Sequence, residues 1–373
     1  MPSAPPAPPR HVRLLVQGLR DPTSTLACSE DDWDILVRTA RLANLLGTLA
    51  ARIETAGVLD SLPLPVGAHL RSGLALGRHR RQRAIFESTV IARILASTST
   101  PLVLLKGTAY VWQGLPGMDG RLFDDIDLLV SRDRLAEVES RLILAGWGQE
   151  KLDPYDERYY RAWSHELPPM SAAGHLLQLD VHHSILPPIG RAKADARALM
   201  EAAVPIAGSP FRALAPADQV LHACAHLFQD SDCAGRLREL VDIDALLRFH
   251  ATSARFWSFL VDRARLHGLG RALWYGARYS SAWLGTAIPA DVLASMEPLR
   301  PRAVVRRTMD RLVARVLFPH DPDAEPKFGT TFSRQALLAR ALWLRMPPYL
   351  IAVHGCSKLL RGMRPATRGA DQA

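Results

Sequence analysis

At 373 residues the chain is longer than one small core requires and has room for two or three packed units. Hydrophobic residues make up 48% and charged residues 22%, an ordinary globular balance that excludes a disordered or fibrous chain. The net charge of +9 would suit a nucleic-acid partner, but arginine supplies 41 of the 46 basic residues and no basic tract is interleaved with aromatics, so nucleic-acid binding is not expected.

The proline-rich Met1-Pro-Ser-Ala-Pro-Pro-Ala-Pro-Pro9 opens an expected flexible lead over residues 1–28. No apolar run follows it closely, so it does not read as a signal peptide. Ser29 is placed to cap a helix, with Glu30, Asp31 and Asp32 loading the first turn. That helix is predicted from Trp33 through Leu46 towards Ile53. Pro63 and Pro65 separate it from a second helical stretch over about 69–96, where Ile85, Thr89, Ile91, Ile94 and Leu95 recur at helical spacing. Arg78-His-Arg-Arg81 reads as a solvated face.

Pro101-Leu-Val-Leu-Leu105 reads as a short buried strand running into Lys106-Gly107-Thr108 and then a helix at Ala109-Tyr-Val-Trp112. A strand, a glycine, a hydroxyl residue and a helix start can offer free backbone N–H groups to a phosphate. Lys106 stands out because the chain has only five lysines. A segment expected to be flexible, Gly114-Leu-Pro-Gly117-Met-Asp-Gly120, then leads to Arg121-Leu-Phe-Asp-Asp-Ile-Asp-Leu-Leu-Val130. There an apolar strand carries Asp125 and Asp127, which alternation turns to one face while Ile126 and Leu128 face the other way. Two carboxylates held side by side repel and lose hydration. A divalent cation such as Mg²⁺, which prefers oxygen ligands, would resolve the conflict.

Leu135 to Ala145 reads as an amphipathic helix closed by Gly146. Tyr155 to Trp163 is aromatic and charged and is expected as a loop or strand over the site. His175-Leu-Leu-Gln-Leu-Asp-Val-His-His183 alternates again, with Leu177, Leu179 and Val181 on one face and Gln178, Asp180 and His182 on the other. Asp180 on a neighbouring strand would complete a carboxylate triad or accept a proton from an attacking hydroxyl.

From Pro216 the pattern is helical. His222 and His226 fall at i and i+4 on one face, without the glutamate a metalloprotease motif would need. His182 and His226 are candidate cleft residues. Asp242-Ile-Asp244 only imitates the metal pair, because positions i and i+2 diverge by about 200° on a helix. Pro319 to Asp323 reads as a linker. The tail beyond it combines the amphipathic Ala336–Leu344 with the apolar Tyr349–Val353, and is expected to pack on the protein's own helices in preference to a membrane surface. Cys28, Cys224, Cys233 and Cys356 are scattered, which argues against a disulfide framework and a structural zinc site.

Lys-Gly followed by Arg-x-x-x-Asp-Ile-Asp-Leu-Leu-Val and a distal Asp-hydrophobic-His resembles the uncharacterised bacterial nucleotidyltransferases of the DNA polymerase β-like superfamily. The likeness covers residues 100–185, more weakly to 250. It implies an α+β fold with a polymerase β-like palm over 97–200, which the residue patterns set between helical regions at 29–96 and 201–300 and ahead of a basic amphipathic tail at 301–373. It also implies transfer of a nucleoside monophosphate from a triphosphate, with ATP expected, to a hydroxyl or similar acceptor on a small molecule, glycan precursor, peptide or protein. Asp125, Asp127 and Asp180 would hold Mg²⁺ or Mn²⁺, while Lys106, Gly107, Thr108 and Arg121 would contact the nucleotide. The gap from Gly107 to Asp125 is longer than in many superfamily members. Transfer of the γ-phosphoryl group and non-catalytic nucleotide binding are the alternatives. No predicted segment approaches a membrane span, and the expected compartment is the cytoplasm.

Overall fold

A computed structural model describes residues 4–149, 152–324 and 328–362, with the side chains of 356–362 outside the description. Lys151, Lys327, Cys356 and Lys358 therefore lie outside the side chains described. Helices precede the sheet: α1 (Arg10–Arg20), α2 (Glu30–Leu42), α3 (Leu46–Thr55) and the long α4 (Leu64–Leu95). Then come β1 (Val103–Leu104), α5 (Lys106–Trp112), β2 (Asp125–Leu129), α6 (Leu135–Leu144), β3 (Gly148–Gln149), α7 (Pro154–Trp163), β4 (Met170–Ser171) and β5 (Gln178–His182). After α8 (Ala196–Ala202), β6 (Val204–Pro205) and β7 (Arg212–Ala213), the described chain is helical. Its elements are α9 (Pro216–Phe228), α10 (Leu237–His250), α11 (Ala254–Leu266), α12 (Gly270–Tyr279), α13 (Ala290–Ser295), α14 (Ala303–Val316), α15 (Phe328–Arg345) and α16 (Pro348–Gly362).

The strands form one mixed sheet in the order β3-β4-β5-β2-β1-β7-β6, so the chain is a mixed α/β protein, consistent with α+β. At its centre β2 and β5 run parallel, with Asp125 opposite Gln178, Asp127 opposite Asp180 and Leu129 opposite His182. β1 is antiparallel to β2 and parallel to β7. Ile126, Leu128, Leu179 and Val181 are fully buried, which fixes the register, since a one-residue slip would turn them outward and the acids inward.

Residues 10–27, expected within a flexible lead, are ordered instead. Val12, Leu15, Val16 and Leu19 recur at helical spacing and bury α1 against the core, and Asp21 caps the short helix that follows. Ser29 and Asp32 form the capping box of α2. The expected continuous helix from 33 to 53 breaks between α2 and α3, where Asn44 takes a left-handed φ of 55°. Tyr155–Trp163 is a helix, not a loop or strand: Asp153 accepts from the Tyr155 and Asp156 amides, and Pro154 suits the first turn.

The Gly114–Gly120 segment is packed, not loose. Leu115 and Met118 are buried, and Gly120 lies at φ 81° against Gly47 of α3 and Gly77 of α4. A side chain at any of the three glycines would strike backbone of another, so the chain enters β2 from a fixed point. Glu87 of α4 fixes the start of β5. It is buried and accepts the Leu176 and Leu177 amides at 2.9 and 3.0 Å.

Candidate active site

Asp125, Asp127 and Asp180 meet on one face of the β2–β5 pair, each offering a carboxylate oxygen within 4.8 Å of the other two. Parallel pairing produces this, because Asp127 and Asp180 are register partners and Asp125 is two residues before Asp127 on the same face. Asp127 is almost wholly buried. Its Oδ1 accepts from Lys106 Nζ at 2.8 Å and lies 2.9 Å from His182 Nε2.

Neutralisation stops there. Asp180 Oδ1 is buried without a hydrogen-bond partner among the described residues. Burial, with Asp127 adding repulsion, pushes the Asp180 carboxyl up to about 7. Repulsion from Asp127, reinforced by burial, raises Asp125 as well. Burial would also raise Asp127, but Lys106 and His182 overcome it and hold that carboxyl well below its usual range. On Lys106 burial opposes the charge, and the carboxylates of Asp127 and Asp125 outweigh it and raise the ammonium. Crowded acids with an orphaned oxygen fit a hard divalent cation, which would take oxygen from all three.

The residues expected to grip phosphate are placed less uniformly. Lys106 begins α5 at φ 46°, a left-handed backbone unusual for a side-chain-bearing residue, and its amine is directed at the triad. Thr108 is buried and its Oγ1 lies 3.5 Å from the Asp125 carbonyl, at the outer limit of a hydrogen bond. Arg121 does not reach into the site as a free phosphate ligand. It is buried and clamps Asp242 of α10, with Nε to Oδ1 at 3.0 Å and Nη2 to Oδ2 at 2.8 Å. Gly107 serves this arrangement, since a Cβ there would run into the Arg121 guanidinium. Asp244 likewise pairs inside the fold, with Arg248 and Thr286, so the Asp242-Ile-Asp244 imitation is structural.

Several neighbours carry no motif in the sequence. Glu166 bridges to the end of β5, and its Oε2 lies 3.4 Å from His182 Nδ1. His165 stands beside them, its ring centroid 5.4 Å from that of His182. Arg345, at the end of α15, donates to the Tyr159 hydroxyl and the Asp230 carbonyl at 3.2 Å each, so the C-terminal helices wall this side of the cluster. Burial pushes Asp230 up to about 6, against the pull of Arg345 and Lys106. On α9, burial lowers the buried His222 and the partly exposed His226 well below the usual imidazole range, with Lys106 the next contributor for both. Lys106, Asp127 and His182 all act on these two imidazoles, which places their helix against the charged cluster; His226 Nε2 also lies 3.6 Å from Glu239. A regular motif could not have revealed Glu166 or Arg345, because tertiary folding alone brings them near.

A family model described as "Uncharacterised nucleotidyltransferase" matches residues 29–285, more than half of the chain. No curated protein and no solved structure matches. Among the described residues, no helix is long and apolar enough to cross a membrane.

Proposed function

The chain belongs to this uncharacterised nucleotidyltransferase family, and from that premise we propose a Mg²⁺- or Mn²⁺-dependent transfer of a nucleoside monophosphate, from ATP as the expected donor, to a hydroxyl or similar acceptor in the cytoplasm. The meeting of Asp125, Asp127 and Asp180, with an Asp180 oxygen unpartnered among the described residues, carries the reading. In it the β2–β5 sheet is a polymerase β-like palm over 97–200, set between helical regions at 29–96 and 201–300.

Bound divalent metal would supply charge neutralisation at the α-phosphorus and activation of the acceptor oxygen. The protein's own groups do the rest. Asp125 and Asp127 would hold the ions that neutralise the donor phosphates. Asp180 would hold the acceptor-side ion or take the acceptor's proton. Lys106 balances the carboxylates before substrate arrives and then offers its ammonium to the departing pyrophosphate. His182 keeps Asp127 oriented from the other side. Glu166, Tyr159 and Arg345 line the flank where an acceptor would approach.

The test is an incubation with ATP labelled at the α- or the γ-phosphate, Mg²⁺ or Mn²⁺, and a cell extract. Label from the α-position should appear on an acceptor and disappear with Asp125→Asn. Acceptor label from the γ-position alone would replace nucleotidyl transfer by phosphoryl transfer. Transfer undiminished in Asp125→Asn would remove the triad from the chemistry.

A further inference from the structure

The charged face of the sheet does not end at Asp127. β5 closes on His182, which is buried and uses its two ring nitrogens in opposite directions. Nε2 meets Asp127 Oδ1 at 2.9 Å, while Nδ1 faces Glu166 Oε2 at 3.4 Å. His165 Nε2 lies 4.0 Å from that same Glu166 oxygen. One ligand atom from each of His165, Glu166 and His182 lies within 4.8 Å of the other two. Bonds of about 2.0–2.1 Å to imidazole nitrogen and carboxylate oxygen put tetrahedral ligand atoms roughly 3.3–3.4 Å apart, so modest side-chain adjustment would close the set.

Two further observations separate this cluster from ordinary buried histidines. His182 is 1% exposed, yet among the described residues its Nδ1, the nitrogen that faces Glu166, has no hydrogen-bond partner. A buried imidazole nitrogen without a partner is costly unless something else occupies it. The other nitrogen of His182 already bonds a carboxylate, the arrangement that orients an imidazole when its far nitrogen holds a metal.

We propose that His165, Glu166 and His182 form a second metal site, selective for a borderline transition-metal ion such as Zn²⁺. Two imidazoles and one carboxylate favour such an ion over Mg²⁺, whereas the all-oxygen triad has the reverse preference. Three protein ligands leave a fourth position for water or a substrate oxygen, the pattern of an open site and not of a closed structural one. With Nδ1 on the ion, Nε2 of His182 must carry the proton and donate it to Asp127. The two sites would therefore share one side chain as their link. The inference does not depend on nucleotidyl transfer.

Untagged full-length protein, stripped with chelator and supplied with excess Mg²⁺ to fill the triad, is titrated with Co²⁺ as a visible reporter for Zn²⁺. One equivalent should bind and give the intense visible absorption of a four- or five-coordinate ion, displaced by Zn²⁺ and not by further Mg²⁺. His165→Ala and Glu166→Gln should each weaken Co²⁺ binding about 100-fold and bleach the band, whereas Asp125→Asn should keep it even though transfer activity is lost. Hyperfine-shifted imidazole N–H resonances of the Co²⁺-loaded wild type should count two histidine ligands, a readout that does not need the variants to fold. Absence of Co²⁺ binding would overturn the proposal. So would a weak six-coordinate spectrum that Asp125→Asn removes and His165→Ala retains.

Discussion

Two buried charge systems in this molecule are built on opposite terms. Arginines pair with buried acids of the helices: Arg121 clamps Asp242, Arg263 clamps Asp218 and Arg278 clamps Asp310, each through at least two hydrogen bonds of 2.7–3.1 Å. Each carboxylate there faces a guanidinium fork that matches both of its oxygens. On the β2–β5 face, Asp125, Asp127 and Asp180 share one close lysine, and Asp180 keeps a buried oxygen with no hydrogen-bond partner among the described residues. The three carboxylates clamped by arginine are satisfied by the fold itself. The charges on the sheet are left incomplete, as expected where a ligand completes them.

Substituting one acid from each system is the sharpest way to break this contrast. Asp125→Asn removes one of two repelling carboxylates while leaving the Lys106–Asp127 pair in place. Transfer should fall roughly 10⁴-fold, about 5 kcal/mol of transition-state stabilisation, with the thermal midpoint unchanged or raised. Initial rates with the labelled donor and a melting curve report both halves. Asp242→Asn should behave in the opposite sense. It strands the buried Arg121 guanidinium and should cost about 3–5 kcal/mol of stability, read as a drop in the urea midpoint, while Asp242 itself contacts no reacting group. Joint replacement by Arg121→Met and Asp242→Leu should recover much of that loss. Equal destabilisation by Asp125→Asn and Asp242→Asn would erase the distinction between the two systems.

The same contrast explains what could be read before folding. The alternation around Asp125, Asp127 and Asp180 fixed strand, face and polarity, because burying Ile126, Leu128, Leu179 and Val181 leaves the acids one direction to face. Helix starts at Ser29 and Pro216 were legible from capping chemistry and proline placement. Arg121 was not: the family resemblance implies a nucleotide contact, but its partner Asp242 is remote in sequence and lies on a helix that only tertiary packing brings near. The Gly114–Gly120 segment misleads for a related reason. Its glycines look like freedom, yet Gly120 is needed for close contact with Gly47 and Gly77. In Tyr155–Trp163 the aromatics suggest a strand, and the Asp153-Pro154 start outweighs them. Glu166, His165 and Arg345 sit in no repeating pattern, so their place beside the triad had no local signal.

The smallest expected effect probes the incomplete acid directly. Asp180 has its folded pKa raised to about 7 from an ordinary value of 3.8. Between those values the native state binds a proton that the unfolded chain has released. Its stabilising contribution is therefore fully present below about pH 4 and is lost as pH rises through 7. Asp125, raised for a related reason, acts in the same sense, whereas Asp127 is depressed and gives up stability only at much lower pH. Relative to Asp180→Asn, metal-free wild type should accordingly lose on the order of 1–2 kcal/mol from pH 5 to pH 8, allowing for solvent screening at this partly exposed side chain. His165, His222 and His226, held low by burial, act in the opposite sense in both proteins and cancel from this difference, which leaves Asp180→Asn the more stable at pH 8. Mg²⁺ should reverse that order at pH 8, since the ion binds the carboxylate and not the amide. Urea midpoints measured across this range, with chelator and then with Mg²⁺, distinguish the cases. Parallel profiles for Asp180→Asn and wild type under both conditions would mean that Asp180 is as fully satisfied as Asp242, and the division between the two charge systems would not hold.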